Sequence, residues 1–68
     1  MRPPLRTAEI HAYNFGRQTR AAGLELAALT GTGMAWAVVP YGPGQVEAEI
    51  ALGREQFTHW AIRGWLDS

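Results

Sequence analysis

The stretch Leu24–Leu52, LELAALTGTGMAWAVVPYGPGQVEAEIAL, decides the fold predicted for this chain. It contains three apolar-rich runs: Leu24–Leu29, Met34–Tyr41 and Val46–Leu52. They are separated by two glycine-bearing breaks at residues 30–33 and 42–44. Glycine supplies the positive φ angles that tight hairpin turns require. The pattern therefore predicts a three-stranded antiparallel meander.

The third apolar run is also compatible with a helix. Small and apolar residues recur every three or four positions through this run and beyond it, which suits one long helix from Pro43 onward. These residues are Val46, Ile50, Gly53, Phe57 and Trp60. Short apolar runs fit both kinds of structure, so strand and helix both stay open for residues 44–53. The alternative to the meander is a mostly α-helical domain with a short hairpin.

A helix is predicted on each side of the meander. In the first, Thr7 can cap the helix, Glu9 faces the positive end of its dipole, and Gly23 stands where helices often end. Its apolar stripe is Ala8, Ala12, Phe15, Thr19 and Ala22. The second helix is predicted over Arg54–Leu66. We therefore predict one α+β domain over residues 1–68, in the order helix–three strands–helix. Residues 1–6 are predicted to form an extended arm, because Pro3-Pro4 disfavours helical backbone before it.

The central strand of this meander is apolar on both faces. One face holds Met34, Trp36 and Val38, and the opposite face holds Ala35, Ala37, Val39 and Tyr41. Since a single layer of helices covers one face only, the second face is expected to be exposed. Its predicted rim consists of Glu25, Glu47 and Glu49. An exposed apolar face of this kind predicts a binding surface.

Composition limits the chain to one small domain. With 68 residues and no cysteine, it lacks disulfides, and a domain of this size is only marginally stable. The net charge is zero, but residues 1–23 carry four arginines against one glutamate, and residues 24–53 carry three glutamates and no base. Because the N-terminus has no apolar signal segment and the longest uncharged span is broken by glycine and proline, we expect a soluble, cytoplasmic protein. Oligomerisation, for example as a homodimer, or a large partner is expected to stabilise it.

Few residues offer catalytic chemistry. The only serine is Ser68, and the two histidines, His11 and His59, have no carboxylate at a spacing that indicates a triad. We therefore predict that the chain is not an enzyme.

Metal and nucleotide sites are also weakly indicated. Glu55 and His59 can share a helix face, but a metal site would need a third ligand such as His11 or Glu9 from the first helix. The sequence Gly31-Thr32-Gly33 lacks the Gly-Lys-Ser/Thr of a phosphate loop, and hairpin chemistry explains it better. No metal or cofactor is predicted.

Two resemblances point to RNA. The predicted order of elements resembles that of double-stranded RNA-binding domains, although the lysine run of that family is replaced here by Gly53-Arg54-Glu55-Gln56. A second set of residues resembles ribosome modulation factor and its small phage-borne relatives: Ala12, Gly16, Ala22-Gly23, Pro40-Tyr41, Trp60 and Gly64-Trp65. The middle of this chain is longer than in that family, and the basic balance of a ribosome binder is absent. These resemblances imply RNA or ribosome binding.

We predict a small non-catalytic protein-interaction module. Compact, cofactor-free chains of this kind are common among phage and mobile-element accessory or inhibitor proteins, which act by binding a host protein or complex. The predicted partner-binding residues are Tyr41, Val39, Ala37, Glu47, Glu49, Trp65, Arg17 and Arg20. Tryptophan, tyrosine and arginine dominate binding hot spots, which supports this choice. RNA or ribosome binding through arginine–phosphate contacts is the alternative, and no membrane interaction is expected.

Overall fold

The computed structural model describes residues 6–68, and over this range it is helical, without a β-strand. Its helices are α1 (Thr7–Ala21), α2 (Ala35–Val38), α3 (Gln45–Leu52) and α4 (Arg54–Asp67). A 3₁₀ turn, Leu26–Leu29, lies between α1 and α2. The predicted helix–meander–helix fold is therefore wrong, and the mostly α-helical alternative fits, although residues 6–68 contain no hairpin.

The three predicted strands are replaced by the 3₁₀ turn, α2 and α3. In the third run the helix wins because glutamine, glutamate, alanine and leucine are strong helix formers, and only Val46 and Ile50 are β-branched. The glycines also serve a different purpose from the predicted one. Gly44 (φ 81°) precedes α3 and Gly53 (φ 83°) follows it, so these positive φ angles separate helices instead of closing hairpins.

The first helix lies where its sequence pattern places it. The Arg6 N–H donates a hydrogen bond to Glu9 Oε1 at 2.9 Å, so the cap is Arg6, one residue before the predicted Thr7. At the other end, the Leu24 N–H donates a hydrogen bond to the Thr19 carbonyl, and the Gly23 N–H donates one to the Arg20 carbonyl. This paired pattern is the Schellman motif, which ends α1 at the predicted glycine.

The core lies where α1 meets α4, α3 and the segment between α1 and α3. Its buried apolar members are Ala12, Phe15, Leu29, Ala35, Val39, Ala48, Phe57 and Ala61. Phe15 is central: its ring centroid lies 5.1 Å from Trp36, 5.0 Å from Tyr41 and 5.6 Å from Phe57. One aromatic cluster therefore joins α1, α2, the loop after α2, and α4.

Two glycines allow α1 and α4 to approach each other closely. A Cβ atom built on Gly16 would lie 1.7 Å from the Ala61 carbonyl oxygen, and one built on Gly64 would lie 1.9 Å from the Tyr13 carbonyl oxygen. Gly16 thus packs against a helix and not against the sheet expected from the meander. The backbones of the two helices are in contact at this point.

Several expectations that depended on the meander are also corrected. Residues 6–68 hold no sheet face on which Ala37, Val39 and Tyr41 could lie together, and no sheet rim formed by glutamates. The topological likeness to double-stranded RNA-binding domains is lost with the strands. Of the predicted extended arm, residues 1–5 lie outside the described residues, and Arg6 has extended backbone angles (φ −71°, ψ 156°).

Candidate interaction surface

Half of the predicted partner-binding residues are at least partly buried. Val39 is 7% exposed. The Tyr41 ring packs on Phe15 and Phe57. Burial, and then the neighbouring carboxylate of Glu49, raise the pKa of Tyr41 to about 12. These contacts place Tyr41 in the core cluster.

Glu49 and Trp65 also have partners within the chain. Glu49 forms an ion pair with Arg54, whose guanidinium lies 4.2 Å from the centroid of the Trp36 ring. Trp65 Nε1 donates to the Leu24 carbonyl at 2.9 Å, and the Arg20 guanidinium lies 4.6 Å above the Trp65 ring. Both predicted residues therefore join separate segments of the fold.

The remaining predicted residues are exposed but lie apart along the chain. Arg17 and Arg20 lie on α1, Ala37 lies on α2, and Glu47 lies in the first turn of α3. Only Glu47 belongs to the exposed apolar surface described next. The structure thus does not bring the eight predicted residues together.

The helix α3 presents an exposed and largely apolar face. We call this the α3 outer face and define it as Val46, Glu47, Ile50 and Ala51, all exposed. Val46 is 51% exposed and Ile50 is 80% exposed. In a strand, Val46 and Ile50 would lie on the face opposite Glu47, whereas their i, i+4 spacing in the helical alternative places them on one side of a helix. That spacing was the sequence signal for this surface.

A shallow groove runs beside the α3 outer face. It lies between α1 and α3, has a volume of about 240 Å³ and has a mostly apolar surface. Its lining residues are Thr7, Ala8, His11, Gly44, Glu47, Ala48 and Ala51. Glu47 and Ala51 therefore belong both to the groove and to the α3 outer face.

A basic surface lies on the side where α1 meets α4. The Tyr13 hydroxyl donates to Asp67 Oδ2 at 2.9 Å. This bond, together with the charge of Asp67, raises the pKa of Tyr13, while Arg17 and Arg63 oppose the shift. Arg20 lies one turn after Arg17 on α1, where its guanidinium stacks on the Trp65 ring and donates to the Trp65 carbonyl. We call Arg17, Arg20 and Arg63 the arginine surface.

Within residues 6–68, no three histidine or acidic side chains come together as a metal site would require. Glu55, His59 and a third ligand from α1 are therefore not brought together. None of the helices described has the length and apolar character needed to span a membrane.

Comparisons with protein-family models, with curated proteins and with solved structures give no match to this chain.

Proposed function

We propose that the chain is a small, non-catalytic protein-interaction module that uses the α3 outer face to bind a partner protein. The exposure of Val46 and Ile50 carries this proposal. Single apolar residues are normal on a protein surface. Here two large β-branched residues stand one helical turn apart, so they offer a partner a continuous apolar stripe. A cytoplasmic phage accessory or inhibitor protein that binds a host protein or complex is the setting that we propose.

The contact is expected to be small. The helix α3 has eight residues, which corresponds to a length of about 12 Å at ~1.5 Å per residue. A stable interface usually buries about 800 Å² on each partner. Self-association through this face alone would therefore be weak, and a partner that also reaches neighbouring surfaces is favoured over a homodimer.

We predict that Ile50→Ser strongly weakens capture of the partner without unfolding the chain. Burial of an isoleucine side chain contributes about 1.5–3 kcal/mol, which corresponds to a roughly tenfold to hundredfold loss of affinity. Because Ile50 is 80% exposed, its effect on the free energy of unfolding should stay within about 0.5 kcal/mol. Tagged full-length chain is used as bait in lysate of the native host, and captured proteins are identified by mass spectrometry.

The matched control is Leu66→Ser, which changes a 54% exposed residue on α4. It should retain the captured partner. Equal capture by the parent chain and the Ile50→Ser variant, at equal folded concentration, would exclude the α3 outer face as the binding surface.

The arginine surface favours RNA or ribosome binding as a second candidate. Arg17 on α1 and Arg63 on α4 lie close enough to Tyr13 to influence its pKa, and Arg20 follows Arg17 by one turn of α1. Three arginines against Asp67 suit a phosphate backbone, which arginine can contact through two parallel hydrogen bonds. The resemblance to ribosome modulation factor points the same way.

For this candidate we predict RNA binding that weakens with salt. On a single strand each arginine–phosphate contact contributes about 0.7 to the slope of log affinity against log salt, so the Arg17→Gln, Arg63→Gln double variant should lower the slope by about 1.4. The fluorescence anisotropy of a labelled 16-nucleotide RNA reports binding, and the affinity at several salt concentrations gives the slope. Arg6→Gln, about 16 Å along α1 from Arg17, should lower the slope by much less. An unchanged slope in the double variant would contradict this candidate.

A further inference from the structure

We propose that the groove between α1 and α3 receives a lysine or arginine side chain of the protein partner. The methylene stem would lie along the apolar groove, and the cationic head would pair with the Glu47 carboxylate. This inference rests on the proposed function, because the groove shares Glu47 and Ala51 with the α3 outer face.

The groove fits a long, thin side chain. Ala8, Gly44, Ala48 and Ala51 give it a surface of small groups, and its volume of about 240 Å³ falls below the ~300–1,000 Å³ of typical small-molecule sites. Lysine and arginine place their methylene stems along apolar surface while the charged head stays in water. An open groove with small apolar residues along its length suits this behaviour.

The charge in the groove selects a cation. Glu47 is exposed in the first turn of α3, and α3 contains no basic residue. Among residues 6–68 the one salt bridge joins Arg54 to Glu49, so Glu47 has no arginine partner within that range. The other polar groups of the groove are the Thr7 hydroxyl and the His11 imidazole, which lies against Gly44. A partner cation would therefore meet a carboxylate that has apolar surface beside it.

Two synthetic peptides test this inference. Both are fluorescein-labelled helical 14-residue peptides with leucine at the same positions, and their polar positions carry lysine in one and glutamate in the other. Binding to the full chain is followed by anisotropy at pH 8, and contacts are mapped by ¹H–¹⁵N NMR. The lysine peptide should bind at least tenfold more tightly and should shift the amide signals of Ala8, Gly44, Ala48 and Ala51.

Substitutions separate the groove from general electrostatics. Glu47→Lys should weaken binding of the lysine peptide at least tenfold, whereas Glu25→Lys, which changes an exposed carboxylate outside the groove by the same charge, should change it less than threefold. Ala51→Leu, which fills the groove at an exposed position, should weaken it at least fivefold. Equal binding of the two peptides, or equal effects of Glu47→Lys and Glu25→Lys, would overturn the assignment.

Failure of this inference can be told apart from failure of the proposed function. If Ile50→Ser abolishes capture of the host partner while Glu47→Lys leaves it unchanged, the α3 outer face stands and the groove assignment falls. If Ile50→Ser has no effect on capture, the proposed function itself fails. Self-association that Glu47→Gln abolishes in sedimentation equilibrium would assign the groove to a second copy. That result overturns the proposal.

Discussion

Truncation of Phe15 to alanine is expected to lower the free energy of unfolding by about 3–5 kcal/mol. Phe15 is fully buried and contacts Trp36, Tyr41 and Phe57. Its loss would leave a cavity between α1, α4 and the segment after α2. Because a chain of 68 residues has about 3–10 kcal/mol of stability in total, at ~0.05–0.15 kcal/mol per residue, the variant should lose about a third of that stability or more.

Urea unfolding followed by tryptophan fluorescence and by circular dichroism measures this loss. Phe15→Leu is the matched control, since it keeps most of the buried apolar volume and should cost about 1–1.5 kcal/mol. If Phe15→Ala unfolded at the same urea concentration as the parent chain, the aromatic cluster would not be the centre of the core.

The second large effect is expected at the contact between α1 and α4. An alanine at Gly16 or Gly64 would place its Cβ atom within 2 Å of a carbonyl oxygen of the opposite helix. Neither carbonyl can rotate away as a side chain would, so the helices must separate. Overpacking of this kind costs about 1–3 kcal/mol or more. We expect about 3 kcal/mol for each variant, even though alanine favours a helix by about 1 kcal/mol over glycine.

Gly31→Ala provides the control for this contact. A Cβ atom at Gly31 meets no atom within 4 Å, so the variant is affected only by the positive φ of 56°. That strain costs on the order of 1–2 kcal/mol. Urea unfolding midpoints for the three variants should therefore rank Gly31→Ala as the most stable. A Gly16→Ala or Gly64→Ala variant as stable as the parent would show that the two helices do not touch there.

The two long helices could be predicted from the sequence because each signal was local. The stripe that includes Ala12, Phe15 and Thr19 follows helical spacing, and Gly23 ends α1 through hydrogen bonds to carbonyls within the same helix. The last helix, predicted over Arg54–Leu66, likewise matches α4 (Arg54–Asp67), which buries Phe57, Ala61 and Gly64. Local spacing and helix-end chemistry depend on nearby residues alone.

The candidate site was only partly predictable. Glu47 was selected, and it lies on the exposed apolar surface, whereas Val46 and Ile50 were not among the predicted partner-binding residues. Tyr41 and Trp65 were selected as large aromatic residues of the kind found in interfaces. The sequence could not show that Tyr41 packs on Phe15 and Phe57 or that Trp65 donates to the Leu24 carbonyl.

The sequence by itself determined the two long helices, the glycine at which α1 ends, and the absence of cysteine chemistry. Only the tertiary structure decided the state of residues 24–52, because apolar runs as short as these fit both strands and helices. The side chains that are buried are those that pack in the core around Phe15. Val46 and Ile50 lie outside this core and are exposed. The same holds for Gly16 and Gly64, whose role depends on how closely the backbones of two distant segments meet.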